Sequence, residues 1–190
     1  MATDTKKQYT YEWPRPAVTV DALVVSAPPP SSSSPPPALL LIRRDRPPFA
    51  GAWALPGGFV DEGEGLDAAA ARELAEETGI DASKNAPGLR LRQYGAFGDP
   101  GRDPRGWCVT VAYCGLLSAR PDAEAGDDAR EAKWWALGDE EAPPPLAFDH
   151  AIVVSEGLRA LAAAEKEGEL RALLLRAAEA YGRALKPEEV

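Results

Sequence analysis

The segment from Gly57 to Ile80, GGFVDEGEGLDAAAARELAEETGI, constrains this chain more than any other. Four glycines, Gly57, Gly58, Gly63 and Gly65, precede a run rich in alanine, leucine and glutamate, and Gly79 closes it. Gly65 as N-cap, Asp67 in the first turn and Gly79 as the stop predict a helix over Leu66 to Thr78. On that helix Glu73, Glu76 and Glu77 stand at i, i+3 and i+4, so three carboxylates project from one face within a few ångströms. Like charges at this spacing destabilise a helix unless the face is solvated or a cation relieves them, and Arg72 can relieve only one of them. The glycine-rich turn lets backbone approach the carboxylates and aim carbonyl oxygens at them. Several hard oxygen donors around one point are what Mg²⁺ requires.

Around this segment the chain alternates strands with turns. AVTVDALVV (Ala17 to Val25) and ALLLI (Ala38 to Ile42) are apolar or β-branched and predict two paired, mostly buried strands. Between them residues 27–37, APPPSSSSPPP, cannot build a packed core, and we expect a disordered hairpin insertion. Leu89 to Phe97, Trp107 to Leu117 and Ala132 to Ala136 read as further strands. After Pro143, Pro144 and Pro145 the pattern turns helical, first around Ile152, Val153, Leu158 and Leu161, then around Leu170, Leu173, Leu174, Ala177 and Leu185.

Composition narrows the partners. The formal charge is -9, from 30 acidic and 21 basic residues, the wrong sign for a protein held to nucleic acid by many phosphate contacts. A small polyanionic substrate fits only if divalent cations and a few arginines reverse the field locally. Cys108 and Cys114 fall on one face of a single strand, where no intrastrand disulfide is feasible; they read as buried thiols of a reducing, cytoplasmic compartment. No signal peptide and no membrane-spanning stretch is expected. At 190 residues with 45% hydrophobic content, one core suffices.

From Gly58 to Ile80 the chain resembles the Nudix signature G-x5-E-x7-R-E-U-x-E-E-x-G-U, where U is a bulky aliphatic residue. Gly58, Glu64, Arg72, Glu73, Glu76, Glu77 and Gly79 match the fixed letters, and Leu74 and Ile80 the aliphatic ones. The resemblance implies an α+β fold, a Nudix-type α/β/α sandwich with a mixed sheet between helices, the signature helix on one face and the C-terminal helices on the other. It divides the chain into an N-terminal extension (1–15), a hydrolase domain (16–145, with the 27–37 insertion) and C-terminal helices (146–190).

The resemblance also implies the chemistry. Glu73, Glu76 and Glu77, with the Gly57 carbonyl, would ligate Mg²⁺, or Mn²⁺ in its place. Arg72 would orient the carboxylates through Glu64 and Glu76. The general base would be Glu73 or Glu76, or an acid of a later loop, Asp122, Glu124, Asp127 or Asp128. GDPGRDPRGW (Gly98 to Trp107) offers Arg102 and Arg105 as anion-binding forks with Asp103 beside them, or else a salt-bridged turn.

With YEWPRPAVTVDALVV and PPLAFDH, this loop is similar to the ADP-ribose pyrophosphatase branch, over Tyr9 to about Leu161. The substrate implied is ADP-ribose, split to AMP and ribose 5-phosphate, with Trp53, Phe59 or Phe97 as stacking partners for the base. A pyrophosphatase for 8-oxo-dGTP or another nucleoside triphosphate is one alternative, and a non-catalytic ADP-ribose-sensing regulator another. The full carboxylate set and the short, mixed-charge C-terminal tail favour the enzyme. The resemblance also implies a homodimer. His150 reads as a helix-start residue rather than a ligand, because Mg²⁺ prefers oxygen donors.

Overall fold

The computed structural model describes residues 9–31, 33–126, 129–138 and 144–183. One mixed sheet of seven strands is covered by helix α1 (Leu66–Thr78) on one face and by α2 (His150–Ala164) and α3 (Glu169–Arg183) on the other. The central strand β1 (Ala17–Ser26) runs parallel to β6 (Cys108–Leu117) along its whole length, Ala17 opposite Cys108 and Ser26 opposite Leu117. Strand β5 (Arg92–Phe97) pairs antiparallel on the far side of β6.

The apolar runs of β1 and β2 (Ala38–Arg44) follow from burial on both faces. Ala22, Val24 and Leu40 pack beneath α1 with Leu74 and Ile80, whereas Leu23, Val25, Leu39 and Leu41 pack beneath α2 and α3 with Val153, Leu158 and Leu174. Alternation along each strand sends its side chains to opposite layers. Cys108 and Cys114 are both buried free thiols.

β1 and β2 touch only at their far ends, Val25 opposite Leu39 and Ser26 opposite Ala38. Toward Asp21 and Ile42 they part, and two short strands fill the gap. β3 (Trp53–Ala54) pairs with β2, and β4 (Gly57–Phe59) pairs with β1, Gly57 opposite Asp21. Neither is long enough to show periodicity, so the sequence contains no signal for them.

Two strands differ most from expectation. The strand expected from Leu89 begins at Arg92, because Gly88 (φ 88) and the Leu89 N–H to Ala86 carbonyl bond turn the chain there. β7 (Ala129–Ala136) starts three residues before Ala132, because β2 offers pairing as far as Arg44. Its polar start is an outer edge, where Glu131 pairs with Arg43 and Arg130 with Asp45.

The 27–37 connection is described except at Ser32. It makes a turn in which Ser31 and Ser34 share a hydroxyl bond (2.7 Å) and Ser34 Oγ donates to the Pro29 carbonyl (2.7 Å). Leu185 lies outside the described residues. No helix among the described residues is long and apolar enough to cross a membrane.

Candidate active site

The gap between β1 and β2 opens into a cleft of about 320 Å³. Its floor is the carboxylate face of α1 and the turn before it; its opposite wall holds Arg102, Asp103, Arg105, Phe148 and His150.

Helix α1 takes its position from its C-terminal end and its buried face. Gly79 adopts φ 69 and its N–H caps the Ala75 carbonyl. The 118–126 loop then crosses the helix end, with Glu124 N–H donating to the Thr78 carbonyl at 3.0 Å. A Cβ at Gly126 would lie 2.4 Å from the Glu76 carbonyl oxygen, so only glycine permits that crossing. Ala69, Ala70 and Leu74 anchor the buried face, which leaves Glu73 and Glu76 turned away from the core.

Arg72 organises the floor. Its Nε donates to Glu64 Oε1 (2.8 Å) and its Nη2 to Glu64 Oε2 (2.9 Å) and the Phe59 carbonyl (3.1 Å). Its Nη1 donates to both Glu73 (2.8 Å) and Glu76 (3.0 Å), so it relieves two of the three carboxylates where helical spacing alone predicts one. Glu64 foremost, then Glu73 and Glu76, hold the guanidinium above its ordinary pKa, and Arg72 in return holds Glu64 below the usual carboxylate value.

Glu77 has a different setting. It is only 6% exposed, and its Oε2 accepts the Gly57 N–H at 2.8 Å. Burial pushes its carboxyl up to about 8; the Gly57 bond opposes the shift, and the charges of Glu73 and Asp21 add to it. The glycine pair permits this packing. A Cβ at Gly57 would stand 2.2 Å from the Val20 carbonyl, and one at Gly58 would stand 2.5 Å from the Glu73 carboxylate.

Among the described residues no three acidic side chains converge as a closed ligand set, since Arg72 spans Glu73 and Glu76. The donors nevertheless suit a hard divalent cation. A carboxylate buried beside two others has its charged form disfavoured, and a bound cation would relieve that.

The expected substrate loop contributes, though its arginines already have partners. Arg102, with its side chain 5% exposed, grips both oxygens of Asp149 (2.8 and 2.6 Å). Burial opposes its charge, but Asp149 more than offsets this, leaving its pKa above the ordinary value. Arg105 forks onto the buried Asp103 (Nη2 to Oδ2, 2.6 Å), and Asp103, whose burial alone would raise it, is held low by that bond. The Arg105 guanidinium lies 4.9 Å from the Phe59 ring centroid and 5.5 Å from that of Phe148. The salt-bridged turn and the cleft wall are thus one structure.

Of the aromatic candidates, only Phe59 lines the cleft. Trp53 packs edge-on against Trp135 (5.5 Å), and Phe97 against Tyr94 in the α2 layer. Neither Asp122 nor Glu124 lines the cleft, and Asp127 and Asp128 lie outside the described residues.

Asp21, Arg44, Phe148 and, set aside there as a helix-start residue, His150 are among the lining residues that escaped the sequence reading. Asp21 carried a signal, as the lone carboxylate in an apolar strand. His150 does begin α2, but it also lines the cleft and accepts the Leu55 N–H at Nδ1 (3.0 Å). Burial lowers its pKa.

The NUDIX domain model matches residues 17–156. The chain is 35% identical to an ADP-ribose pyrophosphatase of Methanocaldococcus jannaschii, over 82% of this chain and 80% of that protein. It is 34% identical to the ADPR responsive transcriptional repressor NtrR of Acinetobacter baylyi over 79% of this chain, and spans 56% of that longer protein. Among solved structures, the NUDIX domain of Shewanella oneidensis NrtR complexed with ADP ribose superposes with a TM-score of 0.66 at 34% identity, covering 78% of this chain and 90% of that one. A domain match that runs from the start of β1 into α2 places this chain in the Nudix family, and it is a Nudix hydrolase.

Proposed function

We propose that this Nudix hydrolase cleaves the diphosphate of ADP-ribose to AMP and ribose 5-phosphate, with Mg²⁺ as its cofactor and Mn²⁺ as a substitute. One observation carries the reading. One cleft brings the carboxylates Glu73 and Glu77, with Glu76 joined to Glu73 through Arg72, together with the Arg105 guanidinium and the Phe59 and Phe148 rings beside it. That polarity suits a diphosphate that meets cations on one side and carries a flat base on the other. The 35% identity to an ADP-ribose pyrophosphatase and the likeness to an ADP-ribose-bound domain support this substrate.

Glu73, Glu76, Glu77 and the Gly57 carbonyl would hold the cation. When bound, it neutralises phosphate charge and lowers the pKa of a coordinated water. Arg72, already joined to Glu73 and Glu76, keeps the carboxylates aligned. Glu73 or Glu76 takes the proton of the attacking water. Arg105, with Asp103 fixing its plane, contacts the substrate from the opposite wall, while Arg102 supports that wall through Asp149.

A second reading, an ADP-ribose-responsive regulator, is favoured by the repressor relative. One experiment separates them: product release with Mg²⁺ from ADP-ribose, NADH, diadenosine polyphosphates and 8-oxo-dGTP, beside Glu76→Gln, Glu77→Gln and an EDTA control. AMP from ADP-ribose alone, lost in both variants and in EDTA, supports the enzyme on this substrate. ADP-ribose binding without turnover of any compound supports the regulator.

A further inference from the structure

Helix α2 starts from an unusually constrained point. Phe148 has φ 53, a conformation that bulky residues rarely adopt and that marks positions the surroundings enforce. Here the enforcement is visible. Arg102 clamps Asp149 through two bonds, and the Ala147 N–H donates to the Trp53 carbonyl at 2.8 Å. The clamp turns His150 inward, where it is 5% exposed.

The imidazole links the turn that carries the glycines to β1. Nδ1 accepts the Leu55 N–H, which puts the imidazole proton on Nε2, and Nε2 stands 3.5 Å from Asp21 Oδ1. Thr110 Oγ1 donates to the other Asp21 oxygen at 2.6 Å. From Leu55 onward the chain has no slack. The Pro56 carbonyl accepts the Ala22 N–H (2.8 Å), the Gly57 N–H donates to Glu77, and an added Cβ at Gly57 would lie 2.7 Å from Asp21 Oδ1.

We infer that His150 is a positioning residue: by accepting the Leu55 N–H while its Nε2 faces Asp21, it sets where the Leu55–Gly58 turn lies and so where Gly57 meets Glu77. The consequence for cation affinity rests on the proposed reading that Gly57 and Glu77 hold the ion. A histidine buried this deeply loses hydration that only such bonds restore, and burial favours the neutral form that can accept. Its influence reaches the metal site through backbone, as groups that orient ligands do.

Two substitutions separate the two ring nitrogens. Asparagine keeps an acceptor where Nδ1 stands, and glutamine keeps a donor near Nε2 but no acceptor for the Leu55 N–H. In His150→Gln we expect the Gly57 amide of the metal-free protein to exchange about tenfold faster and the Mn²⁺ dissociation constant, read by electron paramagnetic resonance, to rise about tenfold. In His150→Asn both should stay within about threefold of wild type, and amide exchange in α3 should be unchanged in both variants. Unaltered Gly57 exchange in His150→Gln, or equal losses in both variants together with α3, would overturn the inference. Nitrogen-15 shifts of the wild-type imidazole decide independently of any variant: a proton on Nδ1 would also overturn it. If wild-type protein binds no Mn²⁺, the cation reading fails, while Gly57 exchange still decides the positioning role.

Discussion

Replacing Glu77 with glutamine should make the metal-free protein more stable at high pH and leave it nearly unchanged at low pH. Glutamine preserves the shape of the side chain and an oxygen to accept the Gly57 N–H, so it removes only the ability to ionise. In the folded protein the Glu77 carboxyl sits at about 8 against an ordinary 4.5. An acid whose folded pKa lies above its unfolded one is protonated preferentially in the fold. The folded state therefore binds the extra proton between about 4.5 and 8, and stability falls as pH rises through that window. The slope approaches about 1.4 kcal/mol per pH unit, so the cost reaches on the order of 3 kcal/mol at pH 7 and on the order of 5 kcal/mol above pH 8.

The assay is urea unfolding of wild type and Glu77→Gln in EDTA at pH 5, 7 and 8.5. The contrast between the two proteins cancels the pH response of the rest of the chain. At pH 5 the two should nearly agree, and at pH 8.5 the variant should be ahead by a few kcal/mol. Adding Mg²⁺ or Mn²⁺ should reverse the order at pH 8.5, because a cation stabilises the ionised form that the fold alone disfavours. A stability difference that does not change with pH would refute the reasoning, and with it the claim that burial controls this carboxyl.

Three further substitutions test the surrounding geometry. Gly58→Ala places a methyl 2.5 Å from the Glu73 carboxylate, and we expect kcat/KM for ADP-ribose to fall about tenfold or more while unfolding shifts little. Gly126→Ala meets the Glu76 carbonyl oxygen at 2.4 Å, backbone that cannot swing aside, and should cost about 1–3 kcal/mol in urea unfolding. Arg105→Ala removes the guanidinium between Phe59 and Phe148; KM for ADP-ribose should rise about tenfold with kcat nearly constant, the signature of lost uniform binding.

The half of the site that lies along one stretch of chain was legible in the sequence. Glycine spacing, a helix with Gly79 as its stop, and carboxylates at i, i+3 and i+4 are local facts, and α1 runs from Leu66 to Thr78 as they require. The layer order came with the resemblance, and the apolar runs in β1 and β2, which pack under helices on both faces, agree with it. Arg72 reaching Glu64 follows from the turn before the helix; its further bond to the adjacent Glu73 depends on a rotamer that spacing does not specify. Arg102 shows the opposite limit. Its loop was visible, but its partner Asp149 lies 47 positions away, and no local pattern distinguishes an arginine held for substrate from one that clamps a helix start.

The rest of the site depends on an angle between strands. β1 and β2 pair at Val25 and Leu39, yet by Asp21 they have separated enough for β4 to take β1's hydrogen bonds. That separation creates the cleft, brings Asp21 under Gly57, and admits His150 from a helix that begins 95 residues after Leu55. A carboxylate in an apolar strand signals that something polar must meet it, because an unpaired buried charge is costly. It does not say what. Here the answer is Thr110 on β6 and His150 on α2, one from the neighbouring strand and one from the covering layer. The carboxylate helix can be recognised from its own residues, whereas the wall that faces it exists only once the sheet has opened.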